Sequence, residues 1–124
     1  MKYVYSKLVR DKIPEQIQKE TGRQPYFHIL GEEEYKKELN RKVLEEAHEF
    51  IEENSVEELA DLLEVIDAIR TVKNISMEQV EEARKKKREK KGAFEKRFFL
   101  EYVQEETKNE EEEKELKKSW RKQL

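Results

Sequence analysis

Two short runs of acids, Glu45-Glu46-x-x-Glu49 and Glu58-x-x-Asp61, have the spacing and the residue types to do chemistry. Acids are plentiful in a chain that is 46% charged, so their presence alone says little. Their position says more. At about 100° per residue, a helix over 56–72 gathers Leu59, Leu62, Leu63, Val65, Ile66, Ile69 and Val72 into one apolar arc. Glu58 falls inside that arc, between Val65 and Ile69, and Asp61 lies at its edge beside Val72. A carboxylate among core residues is costly unless its charge is compensated. Glu57, Glu64 and Asp67 fall on the polar side.

The elements that would position these acids follow from the same periodicity. A helix over 32–53 carries Leu39, Val43, Ala47 and Phe50 as a core stripe, with Leu44 and Ile51 at its margin. Glu45, Glu46 and Glu49 share one flank of it, and Glu46 borders the stripe. If Glu53, Asn54 and Ser55 form a short turn, the two helices pack antiparallel and their acids face each other. Such a set of oxygen donors suits a hard divalent cation, Mg²⁺ before Mn²⁺. A plainer account exists for each residue. Ser55-x-x-Glu58 fits a capping box, with Glu58 reaching back to a backbone N–H. Glu45 at helical spacing pairs with Lys42 or Arg41, and Glu49 with Lys42, as solvated surface ions.

Composition narrows the remaining classes. The chain has 124 residues, 35% of them hydrophobic, which predicts a single core in one domain. It has three glycines and no cysteine, so helix is favoured, and disulfides, thiolate metal sites and thiol nucleophiles are excluded. No stretch matches a membrane span or a secretory leader, which predicts a cytoplasmic protein with no membrane partner. A net charge of −3 gives no overall attraction to nucleic acid, and no stable nucleic-acid partner is expected.

Along the chain, residues 1–12 read as extended or loop. Pro14 suits the first turn of a short helix that Gly22 would end. Residues 26–30 read as a brief strand or an extended packing segment. Ser76-x-x-Gln79 is a capping box for a helix over 77–91, which Gly92 would end. Phe94, Phe98, Phe99, Leu100, Tyr102 and Val103 supply the last apolar cluster. Residues 104–124 place acids ahead of bases with only Leu116, Trp120 and Leu124 recurring, which predicts a charged helical tail, solvated or docked through Trp120. Two constellations suit phosphate. One is Lys7, Arg10 and Lys12, with Asp11 among them; the other is Lys91 and Arg97 around Gly92. Cations at a helix C-terminus also suit the macrodipole without any ligand.

The segments 7–15 (KLVRDKIPE), 42–50 (KVLEEAHEF), 57–66 (EELADLLEVI) and 91–97 (KGAFEKR) resemble one family in order and type. It is the small house-cleaning, phosphoribosyl-ATP pyrophosphohydrolase-like branch of the MazG-like all-α NTP pyrophosphatase superfamily. The likeness covers residues 2–103 and leaves 104–124 as a separate tail. It implies an all-α antiparallel helical bundle with a short N-terminal extended segment, assembled as a homodimer or homotetramer. It implies Mg²⁺ (Mn²⁺ possible) on Glu46, Glu49, Glu58 and Asp61, with Glu45 as a further ligand, an orienting group or the base. The implied reaction cleaves a nucleoside triphosphate to a monophosphate and pyrophosphate, with Lys7, Arg10, Asp11, Lys12, Lys91 and Arg97 on the substrate side. Only residues 50–57 separate Glu49 from Glu58, a shorter link than in MazG itself.

Three other readings compete. A ferritin-like di-metal bundle needs two Glu-x-x-His pairs, and only Glu45-x-x-His48 is present. Phosphoribosyl-ATP hydrolysis would be the same chemistry on a different substrate. A non-catalytic helical interaction module would show neither turnover nor a response to metal.

Overall fold

The computed structural model describes residues 1–124 and is all-helical, with no strand. Its helices are α1 (Ile13–Thr21), α2 (Glu32–Glu53), α3 (Val56–Val72), α4 (Met77–Lys91) and α5 (Glu110–Gln123). No helix is long and apolar enough to cross a membrane. The chain divides into two compact units, Met1–Lys87 and Arg88–Leu124. That division falls inside α4, earlier than the boundary at 103 expected from the sequence.

In the first unit each helix begins and ends where its local chemistry dictates. Pro14 sits in the first turn of α1, and Gly22 at φ 70° closes it, its N–H donating to Gln18 O at 2.9 Å. The left-handed Asn54 (φ 53°) stops α2, donating its N–H to Phe50 O at 2.8 Å. Ser55 then opens α3, its Oγ accepting the Glu58 N–H at 3.1 Å. Two residues therefore reverse the chain, and α2 and α3 are the one pair of helices in extensive contact. The predicted box at α4 is complete: Ser76 Oγ accepts from Gln79 N at 3.1 Å, and Gln79 Oε1 accepts from Ser76 N at 2.8 Å.

The core is smaller than the apolar content predicts. Leu39 and Val65 are buried between α2 and α3, and Val43, Phe50, Leu62 and Ile69 are half-buried. Leu44, Ile51, Val56, Leu59, Leu63 and Ile66 remain exposed. The reason is geometric. A two-helix hairpin has one internal interface, and each helix here carries an apolar arc wider than that interface can cover. The strand considered at 26–30 does not form, because no neighbouring strand exists to pair with it. Tyr26 and Ile29 are each 92% exposed.

In the second unit Gly92, at φ 85°, ends α4 with its N–H on Arg88 O at 2.8 Å. Nothing approaches the space a Cβ would occupy there, so the glycine serves the backbone turn and not a close contact. Residues 98–109 form neither helix nor strand. Phe94, Phe98 and Phe99 are all exposed, so the apolar cluster predicted for this stretch is not built. The charged tail does form a helix. Asn109 caps α5 through Glu112 N at 2.9 Å, and Glu112 Oε2 accepts from Lys108 N at 3.0 Å. Trp120 is half-buried, its Nε1 donating to Glu105 Oε2 at 3.4 Å.

Candidate metal centre

The α2–α3 hairpin brings Glu46 from one helix against Glu58 and Asp61 from the other. Each offers one carboxylate oxygen, and these oxygens all lie within 4.8 Å of one another. The Glu46 side chain is only 9% exposed; its Oε1 lies 3.4 Å from Lys42 Nζ, and its Oε2 is buried with no partner. Glu58 Oε2 is also buried and unpartnered. The Glu58 backbone takes part in the Ser55 cap, but its carboxylate does not reach back to complete a capping box. It joins the acids instead.

Glu49 lies beside this group without contributing to the closest set. Its influence is electrostatic. Burial, then the Glu49 charge, push the Glu46 carboxyl above its ordinary range, against the opposing pull of Lys42. Burial and then Glu49, by charge and by hydrogen bond, also raise Glu58, with Asp61 and Glu46 adding to the effect. Both carboxyls are therefore harder to ionise than free ones.

Three cations border the acids. Lys42, 15% exposed, reaches Glu45 Oε2 and Glu46 Oε1, both at 3.4 Å. Lys7 Nζ lies 3.1 Å from Glu45 Oε1, and Arg10 Nη2 lies 2.7 Å from Asp61 Oδ1. Partial burial alone would raise Glu45, but the Lys7 hydrogen bond and the two lysine charges outweigh it and bring its pKa below the usual value. Glu45 is thus held by two ammonium groups outside the closest triad. The three cations, Glu46 and Asp61 line a cleft of about 340 Å³, together with Val9, Ile13, Glu64 and Val65. A larger hollow of about 750 Å³ runs along α5 between Asn109 and Lys118, but it is bounded by a single helix face and gathers no converging groups.

The remaining candidates lie elsewhere. Asp11 and Lys12 are exposed, form no ion pair and do not line the cleft. Lys91 and Arg97 belong to the second unit; Lys91 donates to Gln123 O at 2.9 Å, and Arg97 closes a turn at φ 58°. His48 is exposed and pairs with Glu52 at 3.1 Å, as a surface residue. Sequence reasoning placed Lys42 only as a surface partner of Glu45 or Glu49. Its second contact, to Glu46, was foreshadowed by the i, i+4 spacing of 42 and 46.

No family model, curated protein or solved structure matches this chain.

Proposed function

We propose that this chain is a Mg²⁺-dependent nucleoside triphosphate pyrophosphohydrolase, converting an NTP and water to an NMP and pyrophosphate. One observation carries the reading: two buried carboxylate oxygens, on Glu46 and Glu58, have no partner and converge with Asp61. Orphaned buried acceptors call for a donor or a cation. An all-oxygen donor set fits a hard ion, Mg²⁺ or Mn²⁺, and gives no foothold to a thiophilic one. Glu46, Glu58 and Asp61 would hold the ion, with Glu49 completing the set. Such an ion, when bound, neutralises polyphosphate charge and lowers the pKa of water.

The protein's own groups supply the rest. Lys42 is fixed between Glu45 and Glu46 and presents a positive charge to the same cleft as Lys7 and Arg10. Cations on one side of the acids stabilise charge that develops on a departing pyrophosphate. Glu45 keeps Lys42 in place.

The exposed apolar residues support the expected assembly. Leu44 and Ile51 on α2 are exposed one heptad apart, and Val56, Leu59, Leu63 and Ile66 on α3 are exposed at alternating three- and four-residue intervals. That is the seam of a helix that packs on another helix. A second copy of the hairpin would bury it and complete a homodimeric four-helix bundle.

The test is pyrophosphate release from canonical and modified NTPs and from phosphoribosyl-ATP, with Mg²⁺ present and Glu46→Gln as control. Turnover that Glu46→Gln abolishes supports the proposal, and the ranking of substrates then separates house-cleaning from phosphoribosyl-ATP hydrolysis. No release from any nucleotide by the folded, Mg²⁺-loaded protein overturns it.

A further inference from the structure

Lys7 and Arg10 stand in the N-terminal segment, yet both are engaged by acids of the metal centre. Lys7 pairs with Glu45 on α2, and Arg10 with Asp61 on α3, so the segment lies across both helices of the hairpin. Beyond the half-buried Leu8, and Val9 at the cleft wall, little else fixes it. Residues 1–9 form no helix, Tyr3, Val4 and Tyr5 are exposed, and local backbone hydrogen bonding begins only at the turn from Arg10 O to Ile13 N.

We propose that residues 1–12 form a strap that a divalent cation displaces: Arg10 and the ion compete for Asp61, so filling the Glu46–Glu58–Asp61 triad loosens the strap and frees Lys7 and Arg10 for an anionic ligand. The inference rests on the metal-centre reading above. Charge and exposure argue for it. Asp61 is the triad member whose cation comes from outside the hairpin, and a second cation on it would repel the guanidinium. The Arg10 and Asp61 side chains are 57% and 39% exposed, so water and salt weaken the pair and it exchanges readily. Lys42, packed within α2, has no such freedom and stays. The competing arrangement, in which Arg10 holds Asp61 in place for the ion, predicts the opposite sign throughout.

Two measurements on the full chain decide between them. The first is the Mn²⁺ affinity of the wild type and of Arg10→Gln, by titration calorimetry, with far-UV circular dichroism to establish equal folding. The second is the rate of trypsin cleavage after Lys7 and Arg10 in the wild type, with and without saturating Mg²⁺. The strap predicts several-fold tighter Mn²⁺ binding by Arg10→Gln and several-fold faster cleavage with Mg²⁺. Weaker or unchanged binding by the variant, or cleavage slowed or unmoved by Mg²⁺, overturns the strap alone. No Mn²⁺ binding by the wild type overturns the metal centre and the strap together.

Discussion

Ser55 and Glu58 meet through the backbone and not through the glutamate side chain: Ser55 Oγ accepts the Glu58 N–H at 3.1 Å while the carboxylate turns into the acid cluster. The start of α3 and the proposed ligand are therefore two separable functions of one short segment. Ser55→Ala should cost about 1 kcal/mol of stability and leave the response to Mg²⁺ intact. Glu58→Gln should keep or raise metal-free stability, because it removes a charge that burial and Glu49 oppose, and should abolish stabilisation by Mg²⁺. Urea denaturation of both variants, with and without Mg²⁺, checks the separation. Loss of folding in metal-free Glu58→Gln would mean that the side chain serves the helix start after all.

The carboxyls of the centre titrate in opposite senses, and stability should follow. Glu46 and Glu58 are raised on folding, so their protonation stabilises the folded chain fully below the unfolded value. That contribution is lost as pH rises through the raised folded values. Glu45 is lowered, so its contribution is present above the unfolded value and lost as pH falls through the folded one. Lys7 is raised, first by its hydrogen bond to Glu45, and its contribution is lost only as alkaline pH passes its folded value. Metal-free stability should therefore climb as pH falls from neutral toward the ordinary carboxylate range, then decline on further acidification. Denaturation midpoints across pH test this, and Glu46→Gln should flatten the climb.

The apolar seam gives a third expectation. Leu63 is 59% exposed in a single chain, so a charge there should barely disturb an isolated hairpin. In an assembled bundle it would be buried without a partner. Leu63→Lys should then shift the protein to monomer in sedimentation velocity with its helicity largely kept. A wild type that already sediments as a monomer would remove the seam's proposed role.

Much of the frame was legible in the residues. The limits of α2, α3 and α4 follow from apolar periodicity and from the stops and caps at Asn54, Ser55, Ser76 and Gly92, all of which act within a few residues. The facing of Glu46 and Glu58 followed from the same periodicity on the condition of a short turn at Glu53, Asn54 and Ser55; Glu53 is in fact helical, and Asn54 and Ser55 alone reverse the chain. Through-space partners were less legible. Lys7 and Arg10 read as cations free for phosphate, but their partners stand 38 and 51 residues away, and nothing local announces them. The apolar runs at 26–30 and 94–103 misled for a different reason. Hydrophobicity tells which residues gain from burial, but not whether their own chain supplies the cover.

The turn at Asn54 and Ser55 also bears on how the molecule comes into being. Every acid of the centre belongs to the continuous stretch 45–61, so the site requires no distant part of the chain to arrive first. Contacts of such short sequence separation close early in folding, ahead of encounters between chains. A nascent hairpin would thus be able to capture its cation while the seam is still bare, with the ion bracing α2 against α3 before a second copy docks. Maturation would run from cation to copy, and the abundance of the ion would set how soon the bundle closes.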